Sequence, residues 1–230
     1  MCTFNTDKIY LTWRKGAGYL KHIVGVLYKH ENNGFYFRYF DKDSLDKAKQ
    51  DGFLNYPSFP DYEEIYQDAL EVFKRRLPNP TRHDYDDFLD YWCAKDYKDD
   101  YFALLGLTGA KLQTDNFEVI APHYEVPAVF YTELAGLHHI NEDALLALRE
   151  WNINENNDLM YLNAEPDNQL DDSAVKVFYK DFHVGYIKII HNYNISKAIN
   201  ENLNTKTTVK NIIKNGMIKE VLLRIEINEP

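Results

Sequence analysis

The sequence predicts an α+β chain in two parts, and three observations carry this. Strand-like runs of aromatic and β-branched residues stand near both ends, in IYLTW (9–13), FYFRYF (35–40) and VLLRIEI (221–227). Segments with helical spacing lie between them. Pro122 and Pro127 break the pattern midway, which divides the 230 residues into 1–122 and 123–230.

In the first part, IYLTW, the run from Tyr19 to Tyr28 and FYFRYF predict three strands of a small sheet. Asn32-Asn33-Gly34 marks a hairpin turn between the last two, because Asn and Gly tolerate positive φ. DKDSLDKAKQDG (41–52) predicts a short helix capped by Asp43 or Ser44 and stopped by Gly52. NYPSFPDYEE (55–64) reads as a proline-stiffened loop. Ile65, Leu70, Phe73 and Leu77 fit a helix from Tyr62 to Arg76 loosely, and LPNPTRHD (77–84) ends it. A helix over 83–94, a buried helix in YFALLGLTGAK (101–111) and a strand in TDNFEVIAP (114–122) complete the part.

The second part begins with a strand in VPAVFYTELAGL (126–137) and a helix from Glu142 to Trp151. After the polar loop 152–158 come the strand LMYLNA (159–164) and the turn-rich EPDNQLDDS (165–173). AVKVFYK (174–180) and VGYIKII (184–190) predict a strand pair across Asp181. A helix near 194–203 and strands near 207–213 and 221–227 follow, the last alternating Val221, Leu223, Ile225 and Ile227. About five strands with two helices is the composition of a small OB-like barrel.

A net charge of −10 and a pI near 5.3 exclude a nucleic-acid binder that works by bulk positive charge. Cys2 and Cys93 share no motif, so no disulfide framework is expected and a reducing compartment is the natural one. The first residues lack the apolar core of a signal peptide, and no apolar run approaches the ~20 residues that span a bilayer. A cytoplasmic protein without membrane contact is the expectation.

Enzyme signatures are missing. Gly106-Leu-Thr-Gly109-Ala-Lys111 lacks the spacing and the hydroxyl residue of a phosphate loop, and Gly16-Ala-Gly18 lacks the third glycine of a dinucleotide site. No G-x-S-x-G elbow and no His/Cys pair at metal-ligand spacing occurs. His138 and His139 are adjacent, and on a strand they would face opposite sides. The seven aspartates of 84–100 fall on all sides of a helix and read as a solvated face. No catalytic residue, metal or cofactor is predicted, and the protein is expected not to be an enzyme.

Charge does change sign within the second part. Residues 151–173 hold six acidic and no basic residues, whereas 174–230 hold nine basic against five acidic. A basic patch beside an acidic loop can grip a nucleic-acid backbone and orient a terminal hydroxyl. Equally, Lys176, Lys180 and Lys188 can simply solubilise exposed strand faces.

Leu162-Asn-Ala-Glu165-Pro166-Asp167-Asn168-Gln169-Leu170-Asp171-Asp172-Ser173-Ala174-Val175-Lys176-Val177, followed by Val184-Gly185-Tyr186-Ile187, resembles the HIRAN domain. Leu134-Ala-Gly136-Leu137-His138-His139 looks like that family's first strand, and the resemblance covers about 128–228. It implies a modified OB-like β-barrel that binds DNA, in the form of single strands or 3′ ends. The residues it points to are His138, His139, Asp167, Asn168, Asp171, Tyr186 and Lys188. Asn168 and Asp171 can hold the loop through backbone N–H groups, or Asp171 can accept a hydrogen bond from a terminal 3′-hydroxyl and repel a 3′-phosphate. Tyr186 offers a ring for stacking, or packs, and Lys188 can neutralise a phosphate. The chain departs from the end-binding members at His138-His139, where they carry an Arg-Tyr type pair, and at Leu170, where they carry an aromatic.

The first part resembles, more loosely and over about 20–120, the amino-terminal subdomain of HipA-like toxin kinases. Ile23-Val24-Gly25-Val26-Leu27, Phe37-Arg38-Tyr39, Tyr56-Pro57-Ser58-Phe59-Pro60, Phe73-Lys-Arg-Arg76-Leu77-Pro78 and Tyr101-Phe102-Ala103-Leu104-Leu105 carry the resemblance. The kinase core is missing. This implies a partner-docking module, and the alternative function is an antitoxin-like subunit that restrains a HipA-like kinase.

Overall fold

Alternating apolar residues build one antiparallel sheet in each half of the chain. The computed structural model describes residues 2–31, 34–151, 159–215 and 217–230. The expected turn residues Asn32 and Asn33 and the polar loop 152–158 lie outside the described residues. Contacts divide the chain into one unit of Phe4–Pro122 and a second of His123–Pro230, which also takes in the segment ending at Thr3.

The first unit holds strands β1 (Lys8–Trp13), β2 (His22–Lys29), β3 (Phe35–Tyr39) and β4 (Phe117–Ile120) in the order β3-β2-β1-β4. Ile9 and Leu11 point inward from β1 and are fully buried, as the alternation requires. Their sheet packs on an aromatic core in which Phe37 meets Phe59 at 4.7 Å and Phe73 at 5.4 Å. Helix α1 (Lys42–Gln50) is capped by Asp41, whose side chain accepts from the Ser44 N–H, so the cap lies two or three residues before the expected Asp43 or Ser44. The helix expected from Tyr62 shrinks to α2 (Leu70–Phe73) and one tight turn, Lys74–Arg76. The cause is a competing strand edge: Tyr66 exchanges both backbone hydrogen bonds with Phe37, at 2.8 and 2.9 Å, and Ala69 donates to Phe35. Helix α3 (Tyr85–Tyr91) is acidic and short, and α4 (Tyr101–Thr108) is buried nearly all round. Gly109 ends α4 at φ +72°, where the Cβ of another residue would meet the Glu118 side chain.

A buried guanidinium ties this unit together. Arg76 donates from Nε to the Ala110 carbonyl at 2.8 Å and from both terminal nitrogens to Asp115 at 2.7 and 2.8 Å. A further bond reaches the Phe117 carbonyl at 3.1 Å. Such a bidentate arrangement, with four hydrogen bonds to the guanidinium, is what makes a buried charge tolerable.

The second unit contains β5 (Ala128–Glu133), α5 (Glu142–Glu150), β6 (Leu159–Ala164), β7 (Val175–Tyr179), β8 (Phe182–Tyr186), α6 (Ile189–Asn200), β9 (Asn204–Asn215) and β10 (Met217–Asn228). Six antiparallel strands, where the sequence reading counts about five, run β5-β10-β9-β6-β7-β8. The last strand curls back toward the first: Ala135, just past β5, exchanges backbone hydrogen bonds with Tyr186 at 2.8 and 2.9 Å. The result is an α+β protein whose second unit is an OB-like curled half-barrel with two α-helices. Phe130, Val177, Val184, Val221, Leu223 and Ile225 fill its interior. Each such side chain contributes roughly 1.5–3 kcal/mol by burial.

Two expectations in this unit are corrected. The segment with His138 and His139 is not a strand, because β5 ends at Glu133 and Gly136, at φ +79°, turns the chain into the tight turn Leu137–His139. The strand expected over 184–190 stops at Tyr186, and α6 begins at Ile189 rather than near 194. Its helical period was masked because two polar residues, His191 and Asn192, occupy buried positions beside Ile195 and Ala198. No helix among the described residues is long and apolar enough to cross a membrane.

Candidate nucleic-acid interface

Strand alternation sorts the β6-β7-β8 sheet into an apolar inner face and a distinct outer one. Met160, Val175, Val177 and Val184 point inward and are buried. The outer face receives Tyr161 and Asn163 from β6, Lys176 and Phe178 from β7, and His183 and Tyr186 from β8. Register places Tyr161 opposite Phe178, Asn163 opposite Lys176, Phe178 opposite His183, and Lys176 opposite Tyr186. A bulge between Val177 and Phe178 lets both His183 and Tyr186 reach this face. The rings adjoin: Phe178 to His183 at 5.5 Å, and His183 to Tyr186 edge-on at 4.9 Å. Tyr161 is 62% exposed. A row of rings across three strands, about 4.8 Å apart, is a surface on which planar groups can stack.

The loop 165–173 borders this face. Asn168 builds it: its Oδ1 accepts from the Leu170 and Asp171 N–H groups at 3.0 and 3.2 Å, and its Nδ2 donates to Glu165 at 2.8 Å. Glu165 is the hub between loop and sheet. Its carboxylate lies 2.5 Å from the Lys176 ammonium and accepts from the Tyr186 hydroxyl at 3.2 Å. The Lys176 contact holds the Glu165 carboxyl below the usual carboxylate range and raises the lysine in turn. Partial burial pushes the Tyr186 phenol up and the His183 imidazole down, so the face presents neutral rings at pH 7.

Asp171 is half-buried. Its Oδ1 accepts from the Ser173 N–H at 2.9 Å and its Oδ2 from the Asn192 amide at 2.7 Å. A carboxylate has about four acceptor positions, so each oxygen keeps capacity for a donor. Asp167 is exposed at the loop's tip, and Leu170 is 71% exposed. Gly185 makes the junction possible: a Cβ there would lie 2.4 Å from the Ala135 carbonyl oxygen, and its φ is +143°.

The structure therefore brings Asn168, Asp171 and Tyr186 together, with Asp167 on the same loop. His138 and His139 are exposed on the turn that follows the Ala135 junction. Lys188 is not on an exposed strand face. It precedes α6, is buried, and places its ammonium 2.8 Å from the equally buried Glu133 carboxylate. That pairing withdraws it from phosphate contact. Sequence reasoning missed Tyr161, Phe178, His183 and Asn192. The first two were readable from alternation within 159–164 and 175–179; the last needed the true start of α6. No group of three or more His, Cys, Asp or Glu residues able to hold a metal occurs among the described residues.

No protein-family model matches the chain, and no curated protein matches it. Two solved structures do. A protein from Lactobacillus plantarum, a structural-genomics target, is 19% identical over 42% of this chain and 91% of its own, with a TM-score of 0.34. The HIRAN domain of human HLTF is 18% identical over 44% of this chain and 77% of its own, with a TM-score of 0.29. At these scores neither likeness transfers a ligand or a residue role.

Proposed function

We propose that the second unit is a non-enzymatic module that binds single-stranded DNA or DNA ends on the outer face of β6-β7-β8. The observation that carries this reading is the row of adjoining rings Phe178, His183 and Tyr186, with the exposed Tyr161 opposite Phe178 on β6, which offers stacking positions that accept any base. Lys176 stands on the face itself, and Lys180 at the β7-β8 turn and Lys206 on β9, the strand beside β6, are exposed cations. Toward the other end stands the acidic loop, where Asp171 accepts a hydroxyl and repels a terminal phosphate. The HIRAN-like pattern in the sequence agrees with this assignment of Asp171 and Tyr186. His138 and His139, on the turn after the Ala135–Tyr186 junction, border the Tyr186 side.

A fluorescence-anisotropy titration with short single strands and matched duplexes tests the reading. Single strands bind, and affinity falls with salt with a slope of roughly −1.4 to −2.1 for two or three neutralised phosphates. No binding to any strand or end at low salt refutes it. The docking role of the first unit rests on sequence resemblance alone. Recovery of a HipA-like kinase with the intact chain from its host supports that role, and its consistent absence argues against it.

A further inference from the structure

We infer that Asn192 is a positioning residue for the bound strand end, acting by fixing the orientation of the Asp171 carboxylate; the inference rests on the reading just given. Asn192 sits in the first turn of α6, on the side of the helix that buries Ile195 and Ala198, and is 5% exposed. Its Nδ2 donates to Asp171 Oδ2 at 2.7 Å, and its buried Oδ1 has no hydrogen-bond partner among the described residues. A half-satisfied buried amide is unfavourable, and a leucine of similar branching fills the site without that penalty. The amide therefore works against the core, and its formed contact is the one to Asp171.

That contact has a specific consequence. The other bonds of Asp171 are local: its carboxylate takes the Ser173 N–H, its own N–H goes to Asn168, and its carbonyl accepts from Ala174. A carboxylate held by one oxygen can turn about its last side-chain bond. Held by Ser173 on one oxygen and by a core helix on the other, it cannot, and its remaining lone pairs keep a fixed direction.

The test is Asn192→Leu in the full chain, read three ways. Thermal stability stays equal or rises. Amide order parameters of Asp171 and Ser173 fall while those of β7 and β8 do not. Affinity for a 3′-hydroxyl single strand drops about tenfold, the equivalent of one hydrogen bond to a charged group, and preference over the 3′-phosphate strand shrinks with it. The double variant Asn192→Leu/Asp171→Asn then loses little beyond Asp171→Asn alone, because both act through one carboxylate. Unchanged loop order and unchanged end preference in a folded Asn192→Leu overturn the inference, as does full additivity in the double variant. If leucine does not fold, Asn192→Ala carries the same measurements. If the wild-type chain binds no strand, the proposed function fails; the loop-order comparison still decides whether Asn192 positions Asp171.

Discussion

Replacing Gly185 by alanine puts a methyl carbon 2.4 Å from the Ala135 carbonyl oxygen and 2.9 Å from Leu134 Cγ. Neither neighbour can yield cheaply, because Ala135 is held to Tyr186 by the two backbone hydrogen bonds that close the half-barrel. The backbone itself sits at φ +143°, where an L-residue is strained by about 1–3 kcal/mol. Overpacking adds about 1–3 kcal/mol, so the expected loss is about 2–6 kcal/mol, or roughly 10–25 °C in the melting of a unit this size. Differential scanning calorimetry measures it, with Gly16→Ala as the control. There the nearest atom to a new Cβ is 3.8 Å away, and stability should change by less than about 0.5 kcal/mol. The Gly185 variant should also bind DNA more weakly, because Tyr186 is displaced with the junction. A variant that melts within about 3 °C of wild type refutes the closure of β8 onto the segment after β5.

Tyr161→Ala should leave thermal stability nearly unchanged, since the side chain is mostly exposed, and should weaken single-strand binding by about 10- to 100-fold in an anisotropy titration. Lys188→Met should act on stability rather than binding, costing about 3–5 kcal/mol by taking the ammonium away from the buried Glu133 carboxylate, and Lys188→Met/Glu133→Leu should recover most of that loss in urea unfolding. Because Lys176 depresses the folded-state pKa of Glu165, the carboxylate stabilises the fold above the ordinary carboxylate range, and that contribution disappears as pH falls through the lowered value. The stability difference between wild type and Glu165→Gln should accordingly vanish at acid pH and persist at neutral pH; the opposite trend contradicts the assigned contact.

Much of the fold was legible because local pattern and tertiary packing agree. The alternation in 221–227 is a buried strand face, and the turn residues of 165–173 build the loop they suggest. The failures share a cause. At 62–66 an edge strand outcompetes a helical pattern for the backbone, and at 189–192 buried polar residues hide a helix start. Gly136 turns the chain just where His138 and His139 were expected on a strand. Burial also reverses the meaning of charge: Lys188 reads as a surface cation until its partner Glu133 is seen. The candidate site was half legible. Its loop lies in a contiguous stretch, whereas its ring row joins single residues from three strands and emerges only with register.

The most direct test of the central claim is a paired titration of the wild-type chain with two single strands that differ only in a 3′-hydroxyl or a 3′-phosphate. Asp171, on the loop that Glu165 ties to Tyr186, predicts binding of both strands through stacking, with the hydroxyl end tighter by about tenfold. Equal affinity, or tighter binding of the phosphate end, contradicts the assignment of the acidic loop as the seat of the strand end.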